Sequence, residues 1–204
     1  MTTWWRTAAR PAAARVIVAV GRQPLVPVAL AGLIVLVDRA MRRASSRLEI
    51  GLLDEPGHVA TAALVLLAVV GGRRLGAAPA FTLSALACST LIDIDHVPLY
   101  AGVPGVAEQG GRPYSHSLAT VLILLVVWLV SGRRWTVAAG AAAGVALHFV
   151  RDIATGPGLP LWWPGTADPV RYPYRWYLGL VVVLALVAAV RAVVERHRSV
   201  TARE

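Results

Sequence analysis

Lysine does not occur in the 204 residues, and all 20 basic side chains are arginine. With so much Ala and Val beside them, this looks like the imprint of a GC-rich coding sequence and assigns no mechanism. Cysteine is nearly as scarce. Cys88 stands alone, so no intrachain disulfide can form and the redox compartment is not readable from it. In its apolar run it reads as a small packing residue. Charge is the third scarcity: charged residues make up 15% of the chain, against about 25% in soluble domains. Hydrophobic residues reach 57%, with a mean hydropathy of +0.63. That balance excludes an ordinary water-soluble globule and points to a chain solvated by lipid. No internal repeat is evident, which leaves one membrane domain over 1–204.

The net charge of +9 raises nucleic acid as a partner. The arginines, however, fall as short pairs beside apolar runs, as do the loop charges that orient membrane proteins. The reading is therefore membrane lipid and no nucleic acid. Near the N-terminus, Arg10, Arg15 and Arg22 precede an apolar stretch containing Ala29-Leu30-Ala31, which resembles a signal peptide. The run continues through Val37 and is interrupted by Pro24 and Pro27, so it reads as a retained first helix.

The pattern predicts an all-α, polytopic transmembrane bundle with about six spans, at 24–38, 58–72, 75–92, 117–131, 135–150 and 176–194. Several are short, so tilt or thinning must make up the length. Tight connections at Gly71-Gly72-Arg73-Arg74 and Ser131-Gly132-Arg133-Arg134 demand antiparallel neighbours. Between the first two spans, 39–53 mixes arginine with Leu and Ile, which predicts an interfacial helix or a solvated basic loop. Placing both Arg pairs and both termini in the cytoplasm puts most arginines inside, although Arg39, Arg42, Arg43 and Arg47 count the other way.

Within this topology the histidines gather. His58 opens the second span; Asp93, Asp95 and His96 close the third; His116 precedes the fourth; His148 and Asp152 close the fifth. A residue opening an even span and one closing an odd span share a membrane face, here the extracytoplasmic one. His197, in the basic tail, does not join them. Ionisable groups at membrane depth are costly and tend to mark function. His148 and Asp152 are one helical turn apart, and Asp93 and His96 are three apart, so each pair projects from one helix face. Imidazole with carboxylate suits zinc, and also manganese or iron. Seven candidates exceed one tetrahedral shell, so either two ions bind, or one ion binds and some members act as general base or as orienters of ligands.

Two further features lie on this face. Gly140 and Gly144 form a GxxxG stretch in line with His148 and Asp152, which lets a neighbouring helix approach and turns the ligands into the bundle. Arg112, in the turn before His116, suits an anionic group such as phosphate, or serves as a solvated loop charge. Ser115 or Ser117 is placed to cap the fourth span. The aromatics Trp162, Trp163, Tyr172, Tyr174, Trp176 and Tyr177 read as an interfacial belt.

At these residues the sequence resembles the YdjM-type membrane-bound metal-dependent hydrolases, the LexA-regulated inner-membrane family. The resemblance rests on His58, on Ile92-Asp93-Ile94-Asp95-His96, and on Gly111-Arg112-Pro113-Tyr114-Ser115-His116-Ser117. It is completed by His148-Phe149-Val150-Arg151-Asp152 with Thr155, Gly158 and Trp163-Pro164, and covers about 55–165. Gly111 stands where that family usually has a further His, and Ile92 where it has Pro; the missing His bears on the count of metals. The resemblance implies a hydrolase of the bacterial inner membrane.

Together these readings give a metal-dependent hydrolase whose activated water works at the extracytoplasmic headgroup level. His58, Asp93, His96, His116, His148 and Asp152 are the candidate ligands, with Asp95 as general base or orienter. Arg112 stabilises negative charge on a lipid-linked phosphoester or ester. The alternatives are a metal or proton transporter, which needs polar residues beyond the Thr82, Ser84, Ser89 and Thr90 of the third span, and a noncatalytic protein tied together by metal.

Overall fold

Without water at membrane depth, every backbone polar group in a span must be paired internally, which leaves helices as the economical answer for a chain with no strand pattern. The computed structural model describes residues 4–100, 103–107, 111–132 and 136–201. Among them it is helical apart from loops and one isolated bridge between Leu159 and Val170. In chain order the helices are α1 (Trp4–Gly21), α2 (Leu25–Met41), α3 (Arg47–Val69), α4 (Gly72–Ala77), α5 (Pro79–Leu91), α6 (His96–Tyr100), α7 (Leu118–Val130), α8 (Thr136–Thr155) and α9 (Tyr174–Thr201). A 3₁₀ turn, Ile92–Asp95, carries α5 into α6. The Arg133–Arg134 pair, Gly110 and Arg203 lie outside the described residues.

The six anticipated spans correspond to α2, α3, α5, α7, α8 and α9, with differences that have physical causes. Among the described residues four segments are long and apolar enough to cross a bilayer: Leu48–Val69, Pro79–Pro98, Thr136–Thr155 and Tyr174–Arg198. Ala12–Gly21 and Leu25–Met41, bent by 82°, make a fifth if counted as one broken span. The 13 residues of α7 rise only about 20 Å, short of a hydrocarbon core of roughly 30 Å. The interfacial helix anticipated at 39–53 does not form. α2 runs on through Met41, and Ser46 caps α3 by accepting the Glu49 N–H at 3.1 Å, while the Glu49 carboxylate accepts the Ser45 N–H at 2.8 Å. Consequently His58 does not open its helix. α3 already includes Asp54 and Glu55 and continues through Pro56, at the cost of one backbone bond. The span at 75–92 is divided by Ala78, which precedes Pro79 and adopts a non-helical φ of −128°.

Ser117 occupies the N-cap position of α7, but its side chain makes no capping bond. The Leu118 N–H is satisfied instead by the Leu161 carbonyl at 3.0 Å. At the other end of the bundle α9 caps α3: the Arg191 guanidinium donates to the carbonyls of Ala68, Val69 and Val70 at 2.8, 2.6 and 3.0 Å. These are among the orphan acceptors at a helix C-terminus.

The GxxxG stretch of α8 packs on α5. A methyl group on Gly140 would lie 3.0 Å from Phe81 Cα, and one on Gly144 3.1 Å from Ala85 Cα and against its carbonyl. Backbone-to-backbone contact sets the register that brings the end of α5 beside the last turns of α8. Ile34 of α2, Ala60 and Leu64 of α3, and Tyr177 and Val181 of α9 form the neighbouring core. A single methyl at the α5–α8 contact overpacks it, so Gly144→Ala is expected to lose about 1–3 kcal/mol. Gly32→Ala, where a methyl meets nothing within 4 Å, is expected to be neutral or stabilising. Thermal unfolding of the two variants in detergent checks the contrast.

Candidate metal centre

α8 presents His148 and Asp152 one turn apart, and both are fully buried. The His148 Nδ1–H donates to the Ser89 carbonyl of α5 at 2.8 Å, which leaves Nε2 facing Asp152 Oδ2 at 2.8 Å and Asp93 Oδ1 at 3.5 Å. Asp93 arrives on the 3₁₀ turn, where residues three apart eclipse; His96 Nδ1 accordingly lies 3.2 Å from Asp93 Oδ1. His116, from the loop before α7, completes the arrangement. Its Nε2 is 3.1 Å from Asp93 Oδ1 and 3.7 Å from Asp152 Oδ2.

Asp95 stands behind His116. Its Oδ2 accepts from His116 Nδ1 at 3.1 Å and from the Ser115 hydroxyl, and its Oδ1 is 3.0 Å from His96 Nδ1. Of the two roles anticipated for Asp95, these contacts match orientation of the imidazoles. Arg112 reaches into the same cluster: Nη2 donates to Asp152 Oδ1 at 2.7 Å and Nη1 to His96 Nε2 at 3.3 Å. Gly156 makes room for it, since a methyl there would lie 2.7 Å from Nη2. Arg112 is thus a half-buried member of the site and not a solvated loop charge.

All the anticipated site residues meet in one cluster, and His58 arrives from α3 by stacking on His148, ring centroids 3.8 Å apart and 12° from parallel. His58 is 0% exposed, and neither ring nitrogen finds a hydrogen-bond partner among the described residues. Its Nε2 lies 3.4 Å from both Asp54 Oδ2 and Asp152 Oδ1.

Four residues around the cluster escaped the sequence reading. Asp54 and Glu55 fall between the 39–53 stretch and the span expected at 58–72, although Asp54 and His58 repeat the four-residue spacing of His148 and Asp152. Glu55 brings a further carboxyl toward Asp93. Arg151, next to Asp152, is fully buried. Its Nε donates to Asp54 Oδ1 at 2.6 Å, Nη2 to Asp38 Oδ1 at 2.6 Å and Nη1 to the Tyr177 hydroxyl at 3.1 Å. The Tyr174 hydroxyl donates to the other Asp38 oxygen. Only a lone arginine inside an apolar run signalled this network.

The donor set fits a divalent ion. Ligand atoms held 2.0–2.1 Å from a tetrahedral zinc lie roughly 3.3 Å apart. Asp93 Oδ1, His116 Nε2, His148 Nε2 and Asp152 Oδ2 show spacings of 2.8, 3.1, 3.5 and 3.7 Å. These four residues form one group with metal-ligand proximity; Asp93, Asp95, His96 and His116 form a second, and Asp54, His58 and Asp152 a third. The surplus of carboxylate shows in His116: burial alone would depress its pKa, but hydrogen bonds to Asp93 and Asp95 and the charge of Asp152 push it up to about 9.

Comparison with known proteins gives a match to the family model described as YdjM inner membrane protein, over residues 53–203. No curated protein and no solved structure matches the chain.

Asp95→Asn keeps the shape but weakens the hold on His116, and is expected to lower metal affinity about 10–100-fold, measured by chelator competition. In chelator-treated protein, the raised pKa of His116 contributes stability that is complete below its unfolded value near 6.5 and lost as pH rises through about 9. Unfolding midpoints measured from pH 6 to 10 should fall over that window, and His116→Gln should flatten the fall.

Proposed function

The chain belongs to the YdjM inner membrane protein family, and we propose that it is a metal-dependent hydrolase acting at the extracytoplasmic headgroup level on a lipid-linked phosphoester or ester. The observation that carries the reading is the convergence of Asp93 Oδ1, His116 Nε2, His148 Nε2 and Asp152 Oδ2, drawn from three separate segments. Zinc is the favoured ion for this donor set, with manganese or iron compatible. A bound dication would supply Lewis acidity and lower the pKa of water at an open position toward neutrality.

The remaining chemistry belongs to the protein. The Ser89 carbonyl and the Asp95 carboxylate each hold one ring nitrogen of His148 and His116, fixing the tautomers that present Nε2 inward. Arg112, on the more open side with Asp93 and Asp95, offers donors to an anionic group or to charge that develops on the reacting ester. His58, His116, His148 and Asp152 are closed off from solvent, which strengthens every such interaction.

Transport is less well supported. The Thr82 hydroxyl is taken by the Leu75 and Ala78 carbonyls and that of Ser89 by Leu86, so these side chains do not prolong the cluster into a polar path along α5.

Elemental mass spectrometry of detergent-purified protein should give near-stoichiometric metal, lost in His148→Ala. Metal-free wild type after reconstitution would sink the reading. Against a panel of lipid phosphoesters and esters, Arg112→Ala is expected to retain metal while turnover falls about 10²–10³-fold. A protein that binds metal, unfolds when stripped of it and turns over no member of the panel would be a metal-tied structural protein instead.

A further inference from the structure

Asp152 faces two ways. Its Oδ2 belongs to the four-donor group, whereas Oδ1 lies 3.4 Å from His58 Nε2, on the side of Asp54. Asp54, His58 and Asp152 bring their ligand atoms within 4.8 Å of one another. We propose that Asp54, His58 and Asp152 form a second divalent-cation position, bridged to the first by the Asp152 carboxylate. The inference rests on the metal-dependent reading above.

Three observations carry it. The His58 imidazole is wholly buried, yet neither nitrogen has a hydrogen-bond partner among the described residues. Leaving such a group unsatisfied costs about 1–3 kcal/mol, and a cation between Nε2 and the two carboxylates removes the part of it that falls on Nε2. Next, Arg151 turns Asp54 into the position: it takes Oδ1 at 2.6 Å and leaves Oδ2 facing His58 at 3.4 Å. Gly57 is required for that strut, because a methyl there would lie 2.6 Å from the Arg151 guanidinium carbon. Finally, the carboxylate has the capacity. Asp152 Oδ1 already accepts from Arg112 Nη2 at 2.7 Å, and an ionised carboxylate oxygen offers a second lone pair.

One imidazole and two carboxylates make a hard to borderline set that suits Mn²⁺, Fe²⁺ or Zn²⁺. Three protein donors leave a coordination position open, as catalytic sites require and structural sites do not. Two cations sharing a carboxylate, about 3.5–4 Å apart in known two-metal sites, clamp both the attacking and leaving oxygens of an in-line displacement. Of the two ester classes, this pairing suits the phosphoester.

Manganese alone is the probe. Full-length protein in detergent is stripped with chelator, loaded with Mn²⁺ and read by elemental mass spectrometry and electron paramagnetic resonance. Wild type is expected to hold two ions with an exchange-coupled spectrum. Asp54→Asn and, separately, His58→Gln are expected to hold one ion with an uncoupled spectrum while their circular dichroism stays helical. A single uncoupled ion in wild type overturns the second position and leaves the hydrolase reading intact. It would leave His58 as a buried ring stacked on His148 with no metal to hold. Loss of both ions from either folded variant also overturns it, since Asp54 and His58 would then belong to the first position. No manganese in wild type overturns both readings. Should one variant fail to fold, the other and the wild-type stoichiometry still decide.

Discussion

Arg151 and Asp152 stand next to one another on α8, opposite in charge and both fully buried. A helix turns about 100° per residue, so they cannot neutralise each other directly and must each find partners on different neighbours. An uncompensated buried charge costs several kcal/mol, and the bundle is arranged around meeting that demand twice. Arg151 draws in Asp38 from α2, Asp54 from α3 and Tyr177 from α9. Asp152 draws in His148 from its own helix, His58 from α3 and Arg112 from the loop before α7. The first set is closed and reads as structure. The second has its candidate ligand atoms turned inward, and Asp54 connects the two by contacting Arg151 on one oxygen and His58 on the other.

This arrangement needs a rigid partner for α8, and α5 supplies it. Gly140 and Gly144 allow the α5 backbone to approach within contact of α8, which locks the Ser89 carbonyl onto His148 Nδ1 and sets the 3₁₀ turn bearing Asp93 and Asp95 opposite Asp152. Small residues act twice more near the site, where Gly57 admits Arg151 and Gly156 admits Arg112. In each case the side chain omitted by glycine is the space taken by a guanidinium.

Much of this was legible before the fold was known, because membrane topology converts order along a chain into position across a bilayer. Helices that alternate in direction bring His58, His96, His116 and His148 to one end whatever their packing, and the four-residue spacing of Gly140, Gly144, His148 and Asp152 foretold which face of α8 turns inward. Less legible were features that depend on which rule prevails locally. The second span, expected to open at His58, in fact begins at Arg47 and runs through Pro56, and with the later start Asp54 and Glu55 were lost from view. Arg151 was passed over for a similar reason: a single basic residue in an apolar run says nothing of whether it snorkels to the surface or meets carboxylates from two other helices. Of the two readings of 39–53, the interfacial helix fails because α2 runs to Met41 and Ser45, Ser46 and Glu49 cap α3 at Arg47, which leaves 42–46 as the loop.

The charge inventory ties the two networks to the chemistry. Asp38, Asp54, Asp93 and Asp152 face the guanidinium groups of Arg112 and Arg151, Asp95 faces the His116 and His96 rings, and Glu55 stands at the edge. Carboxylates outnumber fixed positive charges by more than two to one in a region largely withdrawn from water. Such an excess must be met by mobile positive charge, either protons on imidazoles or bound cations. The elevated pKa of His116 is the proton answer to that imbalance. A dication is the other answer, and it competes for the same nitrogen. Folding and metal loading therefore draw on one electrostatic resource, so a rise in pH that strips His116 of its proton should weaken the metal-free fold and at the same time favour metal loading. An inert cluster of helix caps would show no such opposition between the two effects.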